Sequence, residues 1–326
     1  MSRTIVFMGT PEFASGCLRA LVHAGLEVVA VVTTADKPVG RGLKTAASDV
    51  KKTALELGLP VLQPLKLKDP AFLKELAAFQ ADLQIVVAFR MLPQEVWAMP
   101  RLGTFNLHAS LLPAYRGAAP IQRALWNGET ETGVTTFLLD KDLDTGGILH
   151  QEKVKIEADE TAGTLHDKLL AVGAPLVVKT AEELLDGKVK PVAQASGEAM
   201  PLAPKIFRQD CYLDFSLPAL NLQRQVRALS PYPGAVTVLH NPKKGVFTPF
   251  KVLECDFFEK KQTSYEQGMF ETDNKHFLRI ACGDGNFLAL KKIQQSGKKA
   301  LTIEDFLRGF RAENFEGARF GMPDPA

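Results

Sequence analysis

Residues 5–32 read IVFMGTPEFASGCLRALVHAGLEVVAVV. Ile5–Met8 and Val28–Val32 are near-continuous apolar runs rich in Val and Ile. Such runs suit strands covered on both faces of a parallel sheet. Between them Ala14, Cys17, Leu18, Leu21 and Val22 fall at i, i+3, i+4, i+7 and i+8. That spacing predicts one buried face of a helix, closed by Gly25. Strand, helix, strand is the repeating unit of an α/β fold.

The pattern continues downstream. Ile85–Phe89 and Val134–Leu139 predict further strands of the same buried kind. Pro70 and Pro120 suit the first turns of later helices. Thr161 to Gly187 predicts one long helix or two, with Leu165, Leu169, Leu176 and Val177 inward. Pro175 predicts a break or kink near Ala174. Ligands are then expected beyond the carboxyl ends of the strands.

Alternation stops near Lys188. Residues 189–204, VKPVAQASGEAMPLAP, have the composition of a linker. A helix is predicted over Leu217–Leu229. Short strands are predicted at Ala235–Leu239, Phe250–Leu253, Gly268–Glu271, Phe277–Ala281 and Phe287–Leu290. Asn241-Pro242, Asp273-Asn274 and Gly283-Asp284-Gly285 punctuate them as turns. Five short strands in so few residues predict a small barrel. Thr302 with Asp305 predicts a capped last helix. The expected division is therefore 1–188, a linker at 189–204, and 205–320.

The 326 residues carry 46% hydrophobic and 23% charged side chains, which fits a folded chain and excludes disorder and low complexity. No apolar run approaches the roughly 18 residues of a membrane span. The four-residue run Ile5–Met8 is too short for a signal-peptide core. Cys17, Cys211, Cys255 and Cys282 show no C-x-x-C spacing, so neither a zinc site nor a redox motif is expected. Scattered thiols without an export signal point to the cytoplasm. Net charge is +2, but residues 1–200 hold 21 Lys+Arg against 23 Asp+Glu, and residues 201–326 hold 18 against 14. The basic excess includes Lys243-Lys244, Lys260-Lys261, Lys291-Lys292 and Lys298-Lys299. A polyanion is the partner such clustering suggests.

Gly9-Thr10-Pro11-Glu12-Phe13 follows the first strand where a dinucleotide site would read G-x-G-x-x-G. Pro11 blocks close backbone approach, and Glu12 places a negative charge where a phosphate would sit. A nucleotide site is not expected there. The chemistry lies instead in residues 104–120, TFNLHASLLPAYRGAAP. On a strand, Asn106 and His108 share a face. An amide and an imidazole projecting together suit an oxyanion site with an acid/base group. Asp140, Asp142 and Asp144 follow the strand at 134–139. Lys141 stands among these carboxylates and no phosphate loop accompanies them, so no metal is expected.

Asn106-x-His108, Ser110-Leu111-Leu112-Pro113, Arg116-Gly117-Ala118-Ala119-Pro120 and Asp144-Thr145-Gly146 together resemble the formyltransferase family that uses 10-formyltetrahydrofolate. The resemblance spans nearly the whole chain. It includes Asp36-Lys37-Pro38-Val39-Gly40-Arg41-Gly42, Gly58-Leu59-Pro60-Val61, Ala203-Pro204-Lys205-Ile206, Leu229-Ser230-Pro231-Tyr232-Pro233 and Gly297-Lys298-Lys299-Ala300. It implies a Rossmann-like, mostly parallel catalytic domain followed by a small OB-like β-barrel. It implies Asn106, His108 and Asp144 as the catalytic trio. Asn106 would donate to the oxyanion, His108 would donate or act as general acid, and Asp144 would orient His108 and favour its protonated form; the amine proton would go to His108 or, through a water, to Asp144, and the sequence does not choose between them. Folate would lie on Ser110, Leu111, Leu112 and Pro113 and on Phe89, Arg90, Met91 and Leu92. Arg90 stands where the family's tRNA-acting members commonly have glycine.

The cationic loop at 36–47 resembles the one that these members bring to the tRNA acceptor end, which implies tRNA contacts at Lys37, Arg41 and Lys44. Lys205, Lys298 and Lys299 are further expected contacts. The implied amine carrier is methionyl initiator tRNA, and a monomer is expected. Two other classes share parts of this pattern. Formyltransferases acting on amino-sugar nucleotides carry the His-x-Ser-Leu-Leu-Pro run without requiring a tRNA-binding barrel. A purine-pathway formyltransferase would want a glycine-rich first loop. A non-enzymatic RNA-binding protein would not require Asn106, His108 and Asp144 together.

Overall fold

The computed structural model describes residues 3–39, 44–195, 199–260, 265–310 and 315–323; the side chains of 37–45 are outside the description. Two compact units result. One comprises residues 1–120, 131–155 and 166–203, the other 121–130, 156–165 and 204–326.

The elements of the first part of the chain are β1 (Thr4–Gly9), α1 (Glu12–His23), β2 (Glu27–Val32), β3 (Lys37–Val39), β4 (Lys44–Ala46), α2 (Asp49–Glu56), β5 (Val61–Leu62), α3 (Pro70–Ala78), β6 (Leu83–Val87), α4 (Gln94–Trp97) and β7 (Thr104–His108). They continue with β8 (Arg116–Gly117), α5 (Pro120–Asn127), β9 (Glu131–Leu138), β10 (Ile148–Lys155), α6 (Ala162–Leu185) and β11 (Leu202–Ala203). The main sheet runs β10-β9-β7-β6-β1-β2-β5. Its five strands β5, β2, β1, β6 and β7 are parallel. Strand order reverses at β1, which lies between β2 and β6. Alternate residues bury both faces: Val6, Met8, Ala30, Val32 and Val86 pack with Phe72, Leu76 and Val96, while Ile5, Phe7, Val31, Ile85 and Val87 are fully buried on the other side.

Local readings explain most of these elements. Asp69 accepts from Ala71 N with Pro70 in the first turn, so α3 starts where a proline costs no hydrogen bond. A Cβ at Gly9 would lie 2.5 Å from Ala14 Cβ and 2.9 Å from the Val87 carbonyl. Gly9 therefore serves the close approach of α1 to β1 and β6.

Three expectations change. β9 is antiparallel to β7, pairing Phe105 with Leu138 and His108 with Thr135. An apolar run encodes burial but not direction. The strand predicted through Phe89 ends at Val87, because Ala88 turns the chain with φ 45. Of one helix or two, α6 is one and continues through Pro175, so the expected break is absent. An interior proline costs about 3 kcal/mol. Leu165, Leu169, Leu176, Val177, Ala181 and Leu184 are all buried, and each large apolar side chain contributes roughly 1.5–3 kcal/mol. Burial wins.

The second unit holds α7 (Ala219–Leu229), β12 (Ala235–Asn241), β13 (Val246–Phe258), β14 (Phe270–Thr272), β15 (Leu278–Ala281), β16 (Phe287–Gln295), β17 (Ala300–Thr302), α8 (Ile303–Leu307) and β18 (Arg319–Gly321). The antiparallel sheet runs β14-β15-β16-β13-β12-β18, with β17 on β16. It curls, so that Phe320 N donates to Gly268 O at 2.8 Å and the Phe270 and Phe320 rings meet at 5.6 Å. Among the described residues no ladder joins β14 to β18, so the sheet remains open. Leu222, Val226 and Leu229 of α7 fill it together with Phe250, Val252, Leu278, Leu288 and Ile293. Thr302 caps α8, accepting from Asp305 N.

Candidate active site

Asn106 and His108 lie on β7, with Asn106 half-buried and His108 5% exposed. The Asn106 amide makes no hydrogen bond among the described residues, so both its donors are available. His108 is engaged on one side only. Its Nε2 lies 2.8 Å from the Tyr115 carbonyl oxygen. A carbonyl only accepts, so Nε2 carries the proton and Nδ1 is the free ring nitrogen. Nδ1 faces Asp144 Oδ2 at 3.9 Å.

Burial holds the His108 imidazole below its ordinary value, outweighing the Asp144 charge and the Tyr115 carbonyl, both of which raise it. The resting imidazole is therefore neutral at pH 7. Asp144 pulls in the direction the sequence implied, but burial prevails, and the protonated form is not the resting one.

Asp144 is 8% exposed and adopts φ 56. Its Oδ2 accepts from Gly117 N at 2.9 Å. A Cβ at Gly117, which has φ 129, would lie 2.4 Å from the Ala203 carbonyl oxygen. Glycine is required there by both conformation and space. The three carboxylates of this loop differ. Asp140 accepts from Asp142 N at 3.1 Å and Thr145 Oγ1 at 2.6 Å, supporting the turn. Asp142 is exposed, and only Asp144 reaches His108. Ala88, Tyr115 and Asp144 all adopt left-handed backbone, at a cost of order 1–3 kcal/mol each.

The turn at Ser110–Pro113 is built from within. Ser110 is fully buried and donates to Ala114 O at 2.7 Å. Thr135 Oγ1 donates to Ser110 O at 2.6 Å and accepts from Leu112 N at 3.1 Å. Gln151 Nε2 donates to Leu112 O at 2.8 Å and to Thr135 Oγ1 at 3.0 Å. Leu112 is buried, while Leu111 and Pro113 are half-buried. Thr135 and Gln151 are supports that sequence reasoning missed. The threonines inside the apolar run Val134–Leu139 were the available signal.

On the neighbouring loop Met91 is 75% exposed, Leu92 is buried, and Phe89 and Arg90 are half-buried. Arg90 stacks over Phe89 at 5.5 Å. It donates to Leu65 O at 3.0 Å and to Pro64 O, tying the end of β6 to the chain after β5. Burial lowers its guanidinium.

The expected tRNA contacts fare differently. Arg41 lies outside the described residues, as do the side chains of Lys37 and Lys44, whose backbones pair as the β3-β4 hairpin. Asp36 anchors the base of that hairpin through Lys51 at 2.6 Å and Gln63 at 2.8 Å. Lys205 is exposed and stacks over Phe207. Lys298 and Lys299 are exposed at the β16-β17 turn with no carboxylate partner among the described residues. Other members of the lysine pairs are engaged. Lys260 pairs with Glu271 at 2.6 Å, Lys291 with Asp256 at 2.6 Å, Lys292 with Glu254 at 3.2 Å, and Lys243 with Glu316. Lys261 lies outside the described residues.

All four cysteines are free and buried. Burial pushes the Cys17 and Cys282 thiols up to about 12 and raises Cys211 and Cys255 as well. They are protonated thiols, not nucleophiles.

A family model described as formyl transferase covers residues 2–180, and one described as formyl transferase, C-terminal domain, covers 205–311. The chain is 51% identical over 315 residues to methionyl-tRNA formyltransferase of Parabacteroides distasonis, covering 94% of this chain and 95% of that one. It is 45% identical over 305 residues to the enzyme of that name from Flavobacterium johnsoniae, with the same coverages. In fold it resembles an N-formyltransferase from Helicobacter canadensis, solved with folinic acid and dTDP-3-aminofucose. That likeness has TM-score 0.61 and 19% identity, over 90% of this chain and 100% of the other. The chain belongs to the formyl transferase family.

Proposed function

We propose that the protein transfers the formyl group of 10-formyltetrahydrofolate to the α-amino group of methionyl initiator tRNA. The observation that carries this reading is the juxtaposition of a free Asn106 amide, a neutral His108 with bare Nδ1, and Asp144 at 3.9 Å. It stands beside 51% identity to a methionyl-tRNA formyltransferase over almost the full length of both chains.

The chemistry follows from those groups. The neutral α-amine attacks the formyl carbon, and the carbonyl becomes a tetrahedral oxyanion. Asn106 donates to that oxygen; one such donor is worth on the order of 3 kcal/mol. His108 Nδ1 accepts the proton shed by the amine, giving an imidazolium that the Asp144 charge stabilises. The bond to folate N10 then breaks, the proton passes to N10, and tetrahydrofolate and the N-formyl amine leave. Ser110 to Pro113 and Phe89 to Leu92 form the folate-binding turns, Ser110 and Leu112 acting through the backbone they hold.

The second unit, whose open, curled sheet is OB-like in outline, is the tRNA-holding module, with Lys205, Lys298 and Lys299 as its contacts; Lys37, Arg41 and Lys44 are the contacts for the acceptor end. The protein acts as a cytoplasmic monomer. Asn106→Ala, His108→Ala and Asp144→Ala are the test: each should cut the turnover of methionyl-tRNA formylation by about 100-fold or more, the order that a transition-state donor or a general base contributes, with smaller changes in KM. Near-normal turnover in all three would overturn the assignment.

A further inference from the structure

The stretch with linker composition delivers a side chain to the site. Val192 bridges to Ile148 by paired backbone hydrogen bonds of 2.8 Å. Two residues on, Gln194 uses both ends of its amide. Its Oε1 accepts from Arg116 Nε at 3.1 Å and from Arg116 Nη2. Its Nε2 donates to the Asp144 carbonyl at 2.8 Å and the Gly146 carbonyl at 2.9 Å. Arg116 adjoins Gly117, whose N–H holds the Asp144 carboxylate. One amide thus joins the segment that binds the Asp144 side chain to the segment that carries its backbone.

We propose that Gln194 is a positioning residue for formyl transfer, fixing the Asp144 loop against Arg116-Gly117 so that the Asp144 carboxylate stays beside His108. The inference rests on the role given above to Asp144. Only a carboxamide combines an acceptor for a guanidinium with donors for two carbonyls. A carboxylate would keep Arg116 and repel both carbonyls. A cationic side chain would reach the carbonyls and repel Arg116. Asp144 sits in left-handed backbone, a conformation that persists only where its surroundings over-determine it. Gln194 is part of that constraint.

The test uses the full chain with Gln194→Ala and Gln194→Glu, measuring kcat and both KM values against pH. Both variants should lose kcat about 10-fold, the lower range for removing an outer partner of a functional group, with each KM within about twofold. In Gln194→Ala the acid limb of kcat should move to lower pH, because Asp144 is the charged group that raises His108 and its carboxylate would lie farther away. Unchanged kcat in Gln194→Ala, full kcat in Gln194→Glu, or a loss in Gln194→Ala with an unmoved acid limb would each overturn the proposal. Wild-type protein in the same assay separates the two levels: absence of formyl product from wild type would refute the reaction itself rather than the role of Gln194.

Discussion

His108 gives its Nε2–H to the Tyr115 carbonyl oxygen at 2.8 Å, and that bond decides which ring nitrogen can exchange a proton. Tyr115 lies in left-handed backbone, φ 61, which turns its carbonyl toward the ring. Nδ1 is left facing Asp144.

With burial holding His108 below its ordinary value, near 6.5 for a free imidazole, kcat should rise with pH to a plateau reached below neutrality. The base form is lost only as pH falls. Asp144→Asn removes the charge that raises His108, so its acid limb should shift to still lower pH while the plateau falls. A pH–rate profile checks both, and a limb moved upward would contradict the sign.

Thr135→Val keeps the side-chain shape and removes the hydroxyl. It strips partners from Leu112 N and Ser110 O in a buried turn. Each orphaned group costs about 1–3 kcal/mol, so urea denaturation should show a loss of at least about 2 kcal/mol. The KM for the formyl donor should rise as well.

Arg90→Ala frees the loop after β6 from the Pro64 and Leu65 carbonyls. The formyl donor's KM should rise roughly fivefold, corresponding to about 1 kcal/mol, with kcat little changed. Steady-state kinetics with varied donor would show it, and a kcat loss at constant KM would place Arg90 in the chemistry instead.

Lysines with and without carboxylate partners should behave differently. The double change Lys298→Ala, Lys299→Ala should weaken tRNA binding and lower the salt slope by about 2. Lys291→Ala with Lys292→Ala, whose ammonium groups are paired with Asp256 and Glu254, should change the slope less. Binding titrations over a salt series compare them, and equal slopes would remove the distinction.

Much of this was legible beforehand, for physical reasons. The spacing of Ala14, Cys17, Leu18 and Leu21 marks the buried face of α1, and strand alternation puts Asn106 and His108 on one face. Other features leave no trace in composition. The direction of β9 is not encoded in an apolar run. Tyr115 acts through its carbonyl, which any residue would supply. Gln194 sits among Pro, Ala and small polar residues, so it reads as spacer. Asp140 and Asp144 look alike until the loop is folded. The lysine pairs find carboxylates 11 to 73 positions away, so clustering in sequence overstates the free charge.

The most direct measurement presents wild-type protein and 10-formyltetrahydrofolate with charged initiator tRNA, charged elongator tRNA and a dTDP-amino sugar in parallel, and quantifies formyl product. Formyl-methionine on initiator tRNA, with much less on elongator and none on the sugar, is the predicted result. Product on the amino sugar, or none on charged initiator tRNA, would contradict the account.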